Sequence, residues 1–476
     1  MGVTPIWPQA VDRSESGELS IHGIGATQLL EQFGSPLYVM DIEEVRQRAR
    51  HFVQAAANAF ANANTHVSYA GKAFLSKRIV RIMIEEGMLV DTCSMGEMSI
   101  ALAAGAPGRR LVLHGNNKSD EEIELAIQEG FAKIVVDEPQ EPERIARIAQ
   151  RLGKRARVML RVTSGIHAGG HEYISTAHED QKFGVPLLAA HTDACVCDHD
   201  APVWEAMDAI ADGPAIAALK SILSFEDQLE LVGIHSHIGS NIHDADAFIQ
   251  AASRMMLLRK TLYHTDAYVL PEVDLGGGYS VAYTDGEDSM NVDAELSRLA
   301  QALHETNRRL GMPAPVISFE PGRWIVAPAG ITLYQVGTVK RVNLPQGSKD
   351  SEGNPIEQRT YVSVDGGMSD NIRPALYGAQ YTALLANRQG SEQTWLSRVV
   401  GMHCESGDIV VHECQLPEDV QRGDVLAVPV TGAYGRTMAS NYNQVLIPAV
   451  VGVDAQGASV MIRRQKIQDL LDLDQD

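Results

Sequence analysis

Two hydrophobic periods alternate along the chain from about residue 65 to residue 320. Short runs rich in Val, Ile and Leu predict strands at 66–70, 88–91, 110–114, 133–136, 157–161, 231–235, 271–275 and 316–320. Between them, apolar residues recurring every three to four positions predict helices at 75–86, 95–104, 120–130, 141–152, 245–264 and 293–310. Neighbouring parallel strands need a crossover, and a helix after most strands supplies one. Eight such strands within about 255 residues predict an α/β fold, a (β/α)8 TIM-like barrel, with an open doubly wound sheet as the competing architecture. The connection between the fifth and sixth strands is long: a polar stretch over 186–203, then a fifth crossover helix over 203–223.

After Arg323 the pattern changes. Runs at 331–342, 361–364, 394–400, 425–430 and 460–463 have strand character, no long helix lies between them, and clusters such as Pro345-Gln346-Gly347-Ser348 separate them. They predict a mostly antiparallel β-domain, to which 36–40 adds a strand. The expected organisation is therefore a barrel over 45–325 and a β-domain built from 1–44 and 326–476. The acidic tail 469–476 is expected to be solvated and disordered.

Charge and composition narrow the function. The 476 residues carry a formal net charge of -21, which would repel a nucleic acid, although local arginines can still hold a small anion. No apolar run reaches the length of a bilayer span, and Met1-Gly2-Val3-Thr4-Pro5-Ile6 has neither the basic start nor the apolar core of a signal peptide, so no membrane partner is expected. Cysteines at 93, 195, 197, 404 and 414 form no disulfide framework, which favours a cytoplasmic location. Cys195-Val196-Cys197 lies among His191, Asp193, Asp198 and His199, but C-x-C is not the usual C-x-x-C zinc pair; a polar surface loop is the expectation, and no metal.

A barrel presents its reactive groups at the C-terminal ends of its strands. Lys72 follows the first strand, His235 and His237 follow the sixth, Gly276, Gly277 and Gly278 follow the seventh, and Glu320 closes the eighth. Taken singly, each has an ordinary explanation: a surface lysine, a structural histidine, a turn, a capping carboxylate. Together they supply what pyridoxal 5'-phosphate needs. The cofactor requires a lysine for a Schiff base, a flat side chain against the ring, a carboxylate on the pyridine nitrogen and a backbone open to phosphate. Loops after the seventh and eighth strands are where barrels often bind phosphate.

Ten motifs in order between residues 69 and 435 extend this picture. They are Tyr69-Ala-Gly-Lys72-Ala, Asp91-Thr-Cys-Ser94-Met-Gly96-Glu97, His114-Gly-Asn-Asn117-Lys118, His235-Ser-His237-Ile-Gly239-Ser240, Asp274-Leu-Gly276-Gly277-Gly278, Glu320-Pro-Gly-Arg323, Asp365-Gly-Gly-Met-Ser-Asp370, Arg373-Pro-Ala-Leu-Tyr377, Cys404-Glu405-Ser406-Gly407-Asp408 and Gly432-Ala-Tyr434-Gly435. With them the chain resembles the fold-type III pyridoxal-phosphate decarboxylases, whose barrel is alanine-racemase-like, and within that group the diaminopimelate decarboxylase family.

The resemblance implies a set of roles. Lys72 would carry the cofactor, His237 would stack on its ring and Glu320 would pair with its nitrogen. Ser240, Gly277, the backbone at Gly322 and Arg323, and Tyr434 would bind phosphate. Arg323, Arg373, Tyr377 and Tyr434 would hold the substrate, the arginines by its distal carboxylate. Cys404 would donate a proton and Glu405 would meet the distal amine, both in the neighbouring subunit's site, which implies a homodimer with shared active sites. The implied reaction is decarboxylation of meso-2,6-diaminopimelate, a small amino-acid substrate, to L-lysine and carbon dioxide, the last step of lysine biosynthesis. Three departures from the family pattern, Ser164 in place of a proline, the long 186–203 stretch, and Gly71 with Phe74 beside Lys72, touch none of these roles. The rival readings are a decarboxylase of ornithine, arginine or carboxynorspermidine, a non-catalytic pyridoxal-phosphate-binding regulator, and a racemase. Arg373, Tyr377 and the Cys404-Glu405 pair argue against the first, and Lys72, Glu320 and Cys404 against the second.

Overall fold

A computed structural model describes residues 4–61, 63–166, 181–197 and 202–475. The chain divides into two compact units, one formed by 49–280 with 289–322, the other by 1–48 with 281–288 and 323–476.

The first unit is a closed barrel. Its strands are β1 (Thr65–Ala70), β2 (Leu89–Thr92), β3 (Leu111–Leu113), β4 (Lys133–Val136), β5 (Ala156–Thr163), β6 (Leu229–His235), β7 (Glu272–Asp274) and β8 (Val316–Phe319). Each pairs in parallel with the next, and β8 returns to β1 through Ile317 opposite Thr65, Ser318 opposite His66 and Phe319 opposite Val67. Closure excludes the open sheet that periodicity left possible. The strands are short and mostly buried, which is why most of them read as apolar runs.

Serines start several crossover helices. Ser76 Oγ accepts from the Ile79 amide at 3.3 Å, and Ser119 forms a reciprocal capping box with Glu122. Inside the barrel a buried charge group ties four strands together. Lys133 on β4 pairs with Glu272 on β7 and lies 3.6 Å from Asp274, while Ser318 on β8 donates to Glu272 and His66 on β1 sits 3.3 Å from it. Burial would raise the Glu272 carboxyl, but Lys133 overrides it and brings it to about 2.

The expected single helix over 203–223 is two, Val203–Ala211 and Pro214–Leu223. Gly213 caps the second in an extended conformation, and Pro214 has no amide to continue the first. Of the Cys195 cluster, Asp198 and His199 lie outside the described residues.

The second unit carries a sheet around the long strand Gly330–Asn343, which pairs antiparallel with Leu37–Asp41, Gln358–Val364 and Val425–Val428. The sheet is mostly antiparallel, with parallel pairings between Gln358–Val364 and Thr394–Val400 and between Ala449–Asp454 and Leu37–Asp41. Periodicity missed Ile409–Pro417 and Ala449–Asp454. The tail is partly ordered, contrary to expectation: Ile467–Leu471 is helical, and Asp469 accepts a bidentate pair from Arg463 at 2.5 and 2.8 Å and caps the helix through the Lys466 amide. Arg463, six residues upstream, neutralises the first acid of the run and fixes the start of the helix. Among the described residues no helix is long and apolar enough to cross a membrane.

Candidate active site

A cavity opens at the C-terminal ends of the barrel strands. Lys72, Asp91, His114, Arg161, His237 and Glu320 are among the side chains that line it. Lys72 sits on a single turn, Gly71–Ala73, directly after β1. The Tyr69 hydroxyl donates to the Phe74 carbonyl at 2.5 Å and closes the loop that carries this turn.

At the cavity floor Glu320 Oε1 lies 3.2 Å from His114 Nε2 and 3.1 Å from His235 Nε2, and Asp91 Oδ1 lies 3.6 Å from His114. Burial would push the Glu320 carboxyl up, but His235 and His114 hold it well below the usual carboxylate range. Burial would lower His114, yet Glu320 and Asp91 raise it to about 10. Asp91 is itself pushed up to about 6, by burial and then by Glu320. The environment thus separates two neighbouring carboxyl groups, holding Glu320 strongly acidic while bringing Asp91 closer to neutrality.

His237 behaves oppositely to His114. Burial, then the Lys72 charge, lowers its imidazole well below 6.5, so it stays neutral. The Gly277 amide donates to His237 Nδ1 at 3.1 Å, which leaves the ring proton on Nε2. The glycine triplet therefore does more local work than its position suggested. The Gly276 amide is also taken, by Asp274 Oδ1 at 3.0 Å, and a Cβ at Gly277 would stand 2.3 Å from the Glu320 carbonyl oxygen. Glycine is required there because β7 and β8 leave no room for a side chain. Ser240 lies half-buried beyond β6, and Gly322 packs against Ala70, whose amide donates to the Pro321 carbonyl at 3.1 Å.

Several motif residues hold the frame. Ser94 caps the helix Met95–Ala103, and Glu97 accepts from the Cys93 amide at 2.7 Å. Lys118 pairs with Glu141 at 2.7 Å and anchors the loop after β3. Arg161, at the end of β5, and Asp91 and His114 are cavity residues that carried no role in the sequence reading. Applying the strand-end rule to every strand would have flagged each of them.

The residues fit pyridoxal phosphate. Both Asp91 carboxyl oxygens, His114 Nε2 and both His235 ring nitrogens are buried without an aligned hydrogen-bond partner, and they surround the ionised Glu320. A protonated ring nitrogen would be a donor for the carboxyl oxygens of this floor.

In the second unit Arg323 and Arg373 stand among tyrosines. Arg323 donates to the Tyr283 hydroxyl and lies 4.8 Å from the Tyr434 ring centroid; Arg373 donates to the Tyr381 hydroxyl and lies 4.5 Å from the Tyr283 centroid. The tyrosine hydroxyl that Arg373 donates to is that of Tyr381, while Tyr377 stands half-buried at the end of the short helix Arg373–Tyr377. Tyr434 has φ of 59°, and its loop approaches Val326 so closely that a Cβ at Gly432 would lie 1.8 Å from that carbonyl oxygen. Cys404 and Glu405 are exposed on a loop that is firmly strapped. Asp408 accepts from the Met368 amide at 2.6 Å and the His403 amide at 2.8 Å, and the His403 ring reaches Ser369 Oγ at 2.8 Å and Asn443 Oδ1 at 3.0 Å.

Residues 43–199 and 213–327 match the family described as pyridoxal-dependent decarboxylase, pyridoxal binding domain. The diaminopimelate decarboxylase of Corynebacterium efficiens is 41% identical over 469 residues, covering 98% of this chain and 94% of that one. This chain belongs to the diaminopimelate decarboxylase family. The Bacillus subtilis member is 37% identical over 462 residues, 97% of this chain and 96% of that one. The solved diaminopimelate decarboxylase of M. jannaschii, in complex with L-lysine, superposes with a TM-score of 0.82 at 28% identity, covering 98% of each chain. Membership of the diaminopimelate decarboxylases makes this a pyridoxal-phosphate-dependent carboxy-lyase, and the regulator and racemase readings fall away.

Proposed function

We propose that this enzyme decarboxylates meso-2,6-diaminopimelate to L-lysine and carbon dioxide, the last step of lysine biosynthesis. The observation that carries the reading is the Arg323–Arg373 pair. Among the described residues no carboxylate pairs with either guanidinium, and Arg373 is 7% exposed. Buried cations without a counter-charge are costly, and a ligand carboxylate relieves that cost. Ornithine and arginine end in a cation, which the pair repels. Diaminopimelate ends in a whole amino-acid group, whose carboxylate the pair attracts.

When bound, pyridoxal phosphate supplies the electron sink for the charge left by the departing carboxylate. The chain's own residues do the rest. Lys72 Nζ binds the cofactor covalently. Glu320 keeps a proton on the ring nitrogen, and His237 presents a neutral flat face. Ser240, the backbone at Gly278 and Gly322, and Tyr434 bind phosphate, while Gly276 and Gly277, whose amides go to Asp274 and His237, keep the loop beside it free of side chains. Arg323 and Arg373, with Tyr377 and Tyr434, orient the distal end, Glu405 takes the distal ammonium, and the Cys404 thiol returns a proton to the reacting carbon. A homodimer accounts for Cys404 and Glu405, because a reactive pair held rigid yet exposed suits service in a partner's site. The free cysteines fit a cytoplasmic location.

Two measurements test this reading. Carbon dioxide release from meso-diaminopimelate should exceed that from ornithine, arginine and carboxynorspermidine by about 10²-fold or more in kcat/KM; equal release from ornithine would sink the substrate assignment. Cys404→Ala should keep the cofactor but lose roughly 10²–10⁴ in turnover, the usual share of a positioned acid. Full activity in that variant would remove Cys404 from the proton path.

A further inference from the structure

Tyr283 lies in the short segment 281–288, which interrupts the barrel sequence and packs with the second unit. The segment folds on itself: the Tyr283 amide donates to Glu287 Oε2 at 2.8 Å, and the Glu287 amide donates to the Thr284 carbonyl at 3.2 Å. The Tyr283 side chain is 5% exposed and stands between the two arginines. Its hydroxyl oxygen accepts from Arg323 Nη1, while the Arg373 guanidinium carbon sits 4.5 Å from its ring centroid. Tyr381 meets the same ring edge-on, with centroids 5.3 Å apart and planes at 81°, and accepts from Arg373.

One ring thus addresses two like charges in two ways. Its negative face attracts Arg373, and its oxygen lone pair fixes Arg323. Burial would raise the Tyr283 hydroxyl, but Arg323 and Arg373 bring it below 10, so the O–H is a strengthened donor. A phenol that accepts from Arg323 still has its own proton to give.

We propose that Tyr283 is a positioning residue for substrate selection: it holds Arg323 and Arg373 at the spacing that receives the carboxylate on the non-reacting end of the substrate. The inference rests on the reading of that arginine pair as the distal-carboxylate receptor. None of the ten sequence motifs contains Tyr283.

The test uses holoenzyme and the conservative variant Tyr283→Phe, which keeps the ring and removes the oxygen. KM for meso-diaminopimelate should rise about 10- to 100-fold, the range of a charge-assisted hydrogen bond, with kcat changed less than about threefold. Affinity for L-lysine, which retains the distal carboxylate, should fall by the same factor in a calorimetric titration. Affinity for cadaverine, a diamine without that carboxylate, should stay at the wild-type value. Equal weakening of lysine and cadaverine, or loss of the cofactor's visible absorbance, would mark a merely structural residue and overturn the proposal, as would unchanged lysine affinity. Tyr283→Leu should lose lysine binding further, because Arg373 then loses its ring as well. Should the wild type release no carbon dioxide from meso-diaminopimelate, the substrate reading itself fails; an active wild type with an unaffected Tyr283→Phe variant refutes only the role of Tyr283.

Discussion

Lys72→Ala should abolish the visible absorbance of the bound cofactor and lower kcat/KM by about 10³-fold or more, because covalent attachment and the cavity's strand-end amine disappear together. The variant should still fold. Lys72 is exposed, and its loop is closed by the Tyr69 hydroxyl on the Phe74 carbonyl, a contact the substitution leaves alone. A melting temperature near that of the wild type, measured without cofactor, separates loss of chemistry from loss of fold. Retained absorbance at the wild-type wavelength would mean that another lysine carries the cofactor.

Glu320→Gln should keep the absorbance but lower kcat by roughly 10²–10³, the scale of a deleted preorganised charge. The amide can still hydrogen-bond but cannot hold a proton on the ring nitrogen as an anion does. The same change removes the strongest favourable charge acting on His114, which should then titrate far below its wild-type value of about 10. The sign of the linked stability is fixed. A histidine raised from 6.5 to about 10 on folding stabilises fully below 6.5, and the contribution disappears as pH rises through about 10. The wild type should therefore lose stability between those limits and the variant should lose less. Histidine nitrogen resonances recorded against pH, with His114→Asn for assignment, read this directly. An unmoved His114 titration would show that Glu320 does not set it.

Both substituted residues belong to the part of the site that is legible in the amino-acid sequence. Lys72 and Glu320 stand at the ends of the first and last strands of a regular alternation, and the strand-end rule of barrels points at both. The eight barrel strands emerged at nearly their observed limits because most are buried along most of their length and read as short apolar runs between turn residues. The β unit was less legible. Ile409–Pro417 mixes His412, Glu413 and Cys414 into its alternation, and Ala449–Asp454 pairs in parallel with a strand some 400 residues earlier, a partnership no local period encodes.

The glycine triplet and Tyr283 mark the limit of local pattern. Position assigned Gly276, Gly277 and Gly278 to phosphate; tertiary packing adds that Gly277 must yield space to the Glu320 carbonyl and gives its amide to His237. Tyr283 follows the triplet by five residues in an unremarkable loop, and only folding sets its ring between arginines 40 and 90 positions away.

By itself the sequence determined the alternation of eight strands with helices, the cofactor class and the residues at the strand ends, since these follow from local period, residue type at a repeating position and ordered motifs; closure of the strands into a barrel was settled by the pairing of the last strand with the first. Only the tertiary structure decided which carboxyl group stays ionised, which histidine stays neutral and which tyrosine meets each arginine. Those outcomes depend on burial and on distances between groups remote in the chain, and neither quantity is carried by any one segment.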